Sequence, residues 1–307
     1  MVSLDSAIHV LDVNFLGQPG AVACGLIAGA GGIALVDPGP SSSLPGLRAA
    51  LAGHGHSLAD VRAILVTHIH LDHSGACGTI VRDHPDIEVI VHERGAPHMI
   101  EPGRLLRSAA RVYGDGMERL WGEVAPVPAA RVRALAGGER LVVAGRQIAT
   151  AYTPGHAVHH LSYLDEASGT ACTGDAGGMV IGAARFVVPP TPPPDVDVEL
   201  WDASVSRIRE WQPRSLFVTH FGLVADPGRH LDALVVRLRR LAAIVRESLA
   251  VDGPDAHRLA WFRRVAAADL RSVLAEPDAQ EIERDFMFDE SWHGLARYWR
   301  RKDPGLA

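Results

Sequence analysis

Apolar residues in the first part of the chain fall into short runs of strand length, broken by Gly, Pro, Asp and Ser. Ile8 to Val13, Val22 to Ala28 and Ile33 to Val36 are such runs, punctuated by Gly31-Gly32 and Asp37-Pro38-Gly39; they predict three strands. Ser43 to Ala52 predicts a helix, with serine at its start and Leu44, Leu47 and Leu51 on one face. Ala63 to Val66 reads as a short buried strand, followed by a helix ending at Asp83 and a strand from Glu88 to Val91. This alternation indicates a layered α/β domain. Gly95 to Pro128 is mostly helical in pattern and reads as an insertion lying over one face.

Strands resume at Arg131 and continue as Arg140 to Val143, Gln147 to Tyr152, Leu161 to Leu164 and Thr170 to Thr173. Gly137-Gly138 and Ser168-Gly169 mark turns between them. Val188 to Asp195 (VPPTPPPD) is too rich in proline for a helix or a central strand, so it predicts a stiff loop. Glu199 to Trp211 reads as a helix and Leu216 to Val218 as the last strand. From Pro227 the period changes: Leu231, Leu234, Leu238, Leu241, Val245 and Leu249 recur at helical spacing. The expected division is residues 1–226 as the catalytic domain and 227–307 as a helical extension acting as lid, substrate-binding element or dimer interface.

Composition narrows this picture. Hydrophobic residues make up 47% of 307 and charged residues 21%, which fits a globular chain rather than a disordered one. The formal net charge of −6 argues against a nucleic-acid binder. Met1 to Val10 lacks a basic start and a long apolar core, and no apolar run is long enough to span a bilayer. Three scattered cysteines, Cys24, Cys77 and Cys172, cannot all pair. A reducing, cytoplasmic compartment is therefore expected, with no membrane partner.

The unusual figure is 16 histidines. Three stand in His68-x-His70-x-Asp72-His73, just after an apolar strand. Imidazole nitrogen and carboxylate oxygen together suit zinc or iron. On a strand-to-helix turn, residues two apart can converge on one metal while the next pair points to a second. Three later segments each follow a strand: Thr153-Pro154-Gly155-His156, Thr173-Gly174-Asp175 and Thr219-His220-Phe221-Gly222. An α/β sheet presents its functional groups on such a rim.

Together these residues resemble the metallo-β-lactamase-fold hydrolases of the glyoxalase II-like branch. The resemblance runs from Ile8 to Phe221 and includes Val36-Asp37-Pro38-Gly39. It implies an αββα sandwich with metals at one edge. It also implies a first metal on His68, His70 and His156, a second on Asp72, His73 and His220, and Asp175 bridging both. The expected cofactors are two divalent ions, with Zn2+ favoured and Fe or Mn as alternatives. Such a pair lowers the pKa of a bridging water toward about 7, and Asp72 is the expected catalytic residue, orienting that hydroxide and shuttling its proton. The implied activity opens a thioester, lactone or β-lactam in a small molecule. A mononuclear iron oxidoreductase like the persulfide dioxygenases, or a phosphodiesterase, is the alternative.

Other candidates have plainer readings. His159 and His160 are expected to support the ligands rather than bind metal. Asp37 either orders the ligand loops by hydrogen bonds or serves turn chemistry. His54, His56, His84, His92 and His98 are expected at the surface, and Cys77 and Cys172 as buried thiols. Arg237-Leu238-Arg239-Arg240 and Arg300-Arg301-Lys302 read as solvated helix faces. Tyr113, Trp121 and Met179 line a substrate pocket or pack in the core. A homodimer through the apolar stripe of the extension is compatible with the pattern.

Overall fold

A computed structural model describes residues 8–306 of the chain. Most of the segment Met1 to Val10, expected to carry no signal peptide, lies outside the described residues. Two six-stranded sheets form the centre. The first runs in spatial order β1 (Ile8–Asp12), β2 (Ala23–Gly29), β3 (Gly32–Val36), β4 (Val61–Leu65), β5 (Glu88–His92) and β6 (Val132–Leu135). Its first three strands are antiparallel neighbours, and β3 to β6 are parallel. The second sheet contains β7 (Arg140–Val143), β8 (Arg146–Tyr152), β9 (Leu161–Asp165), β10 (Thr170–Cys172), β13 (Ser215–Val218) and β14 (Gly222–Val224). Its spatial order is β14, β13, β10, β9, β8, β7, with β10 and β13 parallel. A separate hairpin is made by β11 (Met179–Ile181) and β12 (Phe186–Val188).

Strand period explains the layering. Along β3, Ala34 and Val36 face the other sheet, where they pack with Leu65, Tyr163, Cys172 and Phe217. Ile33 and Leu35 point the opposite way. There they meet α1 (Leu44–Gly53) and the helices that follow β4, namely α2 (Leu71–Ser74) and α3 (Cys77–Asp83). In β13, Phe217 faces inward while Leu216 and Val218 pack against α7 (Val198–Glu210) on the far side. The result is four layers, αββα, as expected from the resemblance.

The insertion forms α4 (Ala96–Ile100), α5 (Gly103–Tyr113) and α6 (Met117–Trp121). After β14 come α8 (Pro227–Leu249), α9 (Asp255–Val273), α10 (Glu276–Asp285) and α11 (Phe288–Lys302), which make the C-terminal region helical. Leu231, Leu234 and Leu238 of α8 and Trp292 and Leu295 of α11 share one buried cluster with Trp201 of α7. Among the described residues no helix is long and apolar enough to cross a membrane.

Three sequence expectations require correction. Leu216 to Val218 is not the last strand, because β14 follows it, and the hairpin of β11 and β12 was not foreseen. All three are three-residue strands, too short to show a period. Val188 closes β12 instead of opening the proline loop. His92 is buried, not at the surface: its ring stacks on Tyr152 at 4.5 Å and its Nδ1 accepts from the Arg94 amide.

Candidate metal centre

The parallel strands deliver their C-terminal ends to one rim of the sandwich. Asp37 follows β3, His68 and His70 follow β4, and His156 follows β8; Asp175 follows β10 and His220 follows β13. Asp72 and His73 lie in the single turn of α2, which His70 caps. All seven sequence-proposed residues meet there. They fall into two sets, His68, His70, His156 and Asp175 in one, and Asp72, His73 and His220 in the other, with ligand atoms in each set within 4.8 Å of one another.

In the first set three ring nitrogens converge. His68 Nε2 lies 2.9 Å from His70 Nδ1, and His156 Nε2 lies 3.2 Å and 3.0 Å from those two atoms. In the second, His220 Nε2 is 3.3 Å from Asp72 Oδ2, and His73 Nε2 is 3.7 Å from the same oxygen. Asp175 stands between the sets. Its Oδ2 is 3.5 Å from His156 Nε2 and 3.9 Å from His68 Nε2, while Oδ1 is 3.3 Å from His73 Nε2 and 3.7 Å from His220 Nε2.

Hydrogen bonds behind the rings decide which nitrogens face inward. His156 Nδ1–H donates to the Pro190 carbonyl at 2.9 Å and His220 Nδ1–H to that of Ala21 at 2.8 Å. His73 Nδ1–H donates to Asp37 Oδ2 at 2.8 Å. Thr67 spends its hydroxyl proton on Asp37 Oδ2 at 2.7 Å, so its oxygen accepts from His68 Nδ1–H at 3.1 Å. In each of these four rings the Nε2 lone pair is thereby turned to the centre.

Asp37 collects these bonds. Fully buried, with φ of 52°, it also accepts from the Thr67 amide at 2.8 Å and the Thr219 hydroxyl at 2.8 Å. One carboxylate thus ties the loops after β4 and β13 to α2, which resolves its open role in favour of ordering the loops. Among the described residues His160 makes no hydrogen bond to the seven candidates, and its ring stacks on that of His68 at 5.1 Å. Its Nε2 accepts from the Ala176 amide at 3.2 Å and its Nδ1–H donates to Thr153 Oγ1 at 2.9 Å, fixing the turn that carries Asp175. Trp201 Nε1–H holds the same turn from the other side, on the Ala176 carbonyl at 2.8 Å. His159 packs edge-on against His70 at 5.8 Å. Gly155 has φ of +129°, and a Cβ there would meet the Trp201 backbone at 2.4 Å, so glycine is what lets the His156 loop lie against α7.

Thr67, Thr219, Pro190 and Trp201 received no role from sequence alone. A signal for the threonines exists: each of the four ligand segments begins with one, Thr67, Thr153, Thr173 and Thr219, and all are buried. Pro190 and Trp201 act through tertiary contacts that leave no local pattern. Tyr113 stands near Asp72, where burial and that carboxylate raise its hydroxyl above the ordinary tyrosine range. Its ring meets Trp121 edge-on at 5.0 Å, and Trp121 stacks on Phe15 at 6.0 Å. Met179 instead packs with the hairpin cluster.

The protonation pattern suits a cation. Burial, with His156 beside it, pushes His70 down to about 3. Burial lowers His68 and His156 in the same direction. Burial alone would raise Asp72, but His73 and the His220 hydrogen bond outweigh it and hold the carboxyl well below its usual range. Asp175 is lowered likewise, by His73 and His156 against the effect of burial. His73 moves the other way: Asp175, Asp72 and Asp37 overcome burial and raise it. His73 Nε2 and Asp175 Oδ1 are buried and have no hydrogen-bond partner. Buried polar atoms are seldom left so. Divalent ions fit this donor set: the first-set imidazoles and both carboxylates are held in their ligating forms, neutral and ionised. His73 and His220, raised against burial by Asp175 and Asp72, show the carboxylates drawing positive charge to the second set. Around a cation with nitrogens at about 2.0–2.1 Å, tetrahedral ligands lie roughly 3.3 Å apart, close to the spacings of the first set.

The layered fold and this rim of histidines and aspartates define a class. A family model described as the metallo-beta-lactamase superfamily matches residues 17–220, and the chain belongs to that superfamily. Among individual relatives, the metallo-beta-lactamase fold-containing protein ST1585 of Sulfurisphaera tokodaii is 31% identical over 183 residues, 57% of this chain and 68% of its own. The crystal structure of the same archaeal protein superposes with a TM-score of 0.63 at 24% identity, covering 94% of this chain and 98% of that one. A metallo-beta-lactamase family protein, TTHA1429 from Thermus thermophilus, gives 0.68 at 24% identity over 92% and 89%. A subclass B3 metallo-beta-lactamase from a soil metagenome gives 0.57 at 19% identity over 80% and 96%. At these identities the structural matches speak for the fold.

Proposed function

We propose that this chain is a dinuclear metal-dependent hydrolase, close to the glyoxalase II-like branch, that opens an ester-like bond in a small molecule. The observation that carries the reading is Asp175, whose two oxygens face two separate ligand sets. His68, His70 and His156 would hold one divalent ion, Asp72, His73 and His220 the other, and Asp175 both. Zinc is the first choice for an N/O donor set of this kind, with iron or manganese compatible. Bound there, two such ions supply a nucleophilic water at neutral pH and Lewis acidity toward the substrate oxygen.

The chain's own residues do the rest. Asp72 is the more open of the two inward carboxylates, with 27% of its side chain exposed against 6% for Asp175. Kept ionised by His73 and His220, it is placed to accept a proton from an attacking water and return it to the leaving group. Tyr113 keeps its proton and offers a donor beside Asp72, and the Phe15, Trp121 and Tyr113 rings form an apolar wall for the non-reacting part of the substrate. Thioesters, lactones and β-lactams all present the acyl carbon that this arrangement would serve.

Two variants test the proposal. Asp175→Ala should lower bound metal, measured by mass spectrometry, and abolish ester hydrolysis while the circular dichroism spectrum is kept. Asp72→Asn should retain metal in the first set and lose about 10²–10⁴ in kcat. Full hydrolysis in both variants would refute the reading.

A further inference from the structure

Away from the metal rim, the hairpin of β11 and β12 leans on the helical region and bounds a half-open cavity of about 60 Å³. Its wall is mostly apolar: Phe186 and Val188 come from the hairpin, Ile244 from α8, Leu270 from α9, and Ile282 and Phe286 from α10 and its end. Three charged residues interrupt this wall, Arg237 and the ion pair that Arg240 makes with Asp269. Arg237, expected from sequence to lie on a solvated face, is half-buried, with its guanidinium carbon 3.4 Å from the centre of the Phe186 ring. One of its N–H groups donates to the Val187 carbonyl at 2.7 Å.

What Arg237 lacks is an acid. Its neighbours on α8 are both paired, Arg239 with Asp202 and Arg240 with Asp269 at 2.7 Å. No carboxylate lies within 4.0 Å of Arg237 among the described residues. Burial, with no acid offsetting it, pushes the guanidinium down to about 10. A half-buried cation without a counter-charge is costly to keep, and the planar guanidinium still has N–H donors suited to a carboxylate. At roughly 10–15 Å³ per water-sized atom, the cavity accepts about four to six chain atoms.

We propose that this cavity is a binding site for a short-chain aliphatic carboxylate, with the head group on Arg237 and the chain among Val188, Ile244, Leu270, Ile282 and Phe286. The occupant carries one negative charge, because one unpaired cation marks the wall. It is unbranched or nearly so, because the space is narrow. The site does not depend on the metal centre.

The test is calorimetric titration of the full-length, metal-loaded protein with butanoate, hexanoate and octanoate, and with hexan-1-ol as the neutral control. One site per chain is expected. Affinity should rise about three- to fourfold per methylene until the cavity is filled, with hexan-1-ol at least tenfold weaker than hexanoate. Arg237→Met should remove the preference for the acid while hexan-1-ol binding persists. Leu270→Phe, which fills the cavity and leaves the arginine, should abolish both, with the melting temperature showing that the variant is folded. No saturable binding by the wild type, equal affinity for hexanoate and hexan-1-ol, or hexanoate binding unchanged in either variant would overturn the proposal.

Discussion

Asp37 points no oxygen into the metal pocket, yet the orientation of His68 and His73 depends on it. Its Oδ2 accepts from Thr67, His73 and Thr219, and its Oδ1 from the Thr67 amide. Asp37→Asn replaces one of these acceptors by a donor, so at least one of the groups behind the ligands must turn. A loss of about 10- to 100-fold in metal affinity is expected, as for other partners of ligating histidines, with the circular dichroism spectrum retained. Competition with a chromogenic chelator measures it, and unchanged affinity would show that the rings are held by packing alone. At this scale the site was highly legible. His68, His70, Asp72 and His73 sit within six residues of one another, and the other three ligands each follow a strand. What sequence could not supply was direction. Whether Asp37 joined loops or made a turn, and which ring nitrogen faced inward, depended on partners as distant in the chain as Thr219.

Among elements, strands with a clear period of two were found within one or two residues of their ends, because each must bury alternate side chains on two faces. The three-residue strands β11, β12 and β14 carry no such pattern and are held by pairing with neighbours. The second sheet also contains a buried ion pair that sequence did not flag. Arg146 on β8 donates through Nε to Asp165 Oδ1 on β9 at 3.0 Å and reaches across to the Ala28 carbonyl of the first sheet at 3.1 Å. Burial alone would raise Asp165, but the hydrogen bonds from Arg146 and Ser168 hold it below its usual range. An acid lowered on folding contributes stability that is complete above its unfolded pKa, near 3.9, and is lost as pH falls through the folded value. Asp165→Asn should therefore cost about 3–5 kcal/mol at pH 7, and its deficit against wild type should shrink as pH drops below about 4. Urea unfolding across that range checks the sign. A deficit that grows on acidification would contradict it.

For the whole molecule, the apolar stripe on α8 announced a helical region, but its packing partners were not legible. Leu231, Leu234 and Leu238 cover α7 and the outer face of the second sheet, and His230 Nε2–H reaches the Gly177 carbonyl at 2.7 Å, two residues past Asp175. The helical region thus abuts the turn that supplies the bridging carboxylate. A chain ending at residue 226 would lose the cover that Leu231, Leu234 and Leu238 give to the α7 side of this cluster, and we expect it to aggregate instead of giving a soluble monomer with native-like circular dichroism. A folded, metal-binding fragment would show that residues 1–226 stand alone. Arg237 also belongs to this scale, since a basic run on a helix reads as solvated until another element covers one member.

The most direct test of a two-metal hydrolase is metal content by mass spectrometry on protein purified without added metal, with hydrolysis assayed on the same sample. The panel would hold a thioester, a lactone, a β-lactam and a phosphodiester. Close to two divalent ions per chain, with turnover of a carboxylic-ester-like substrate, is the predicted result. About one iron per chain with no hydrolysis of any of the four would contradict it.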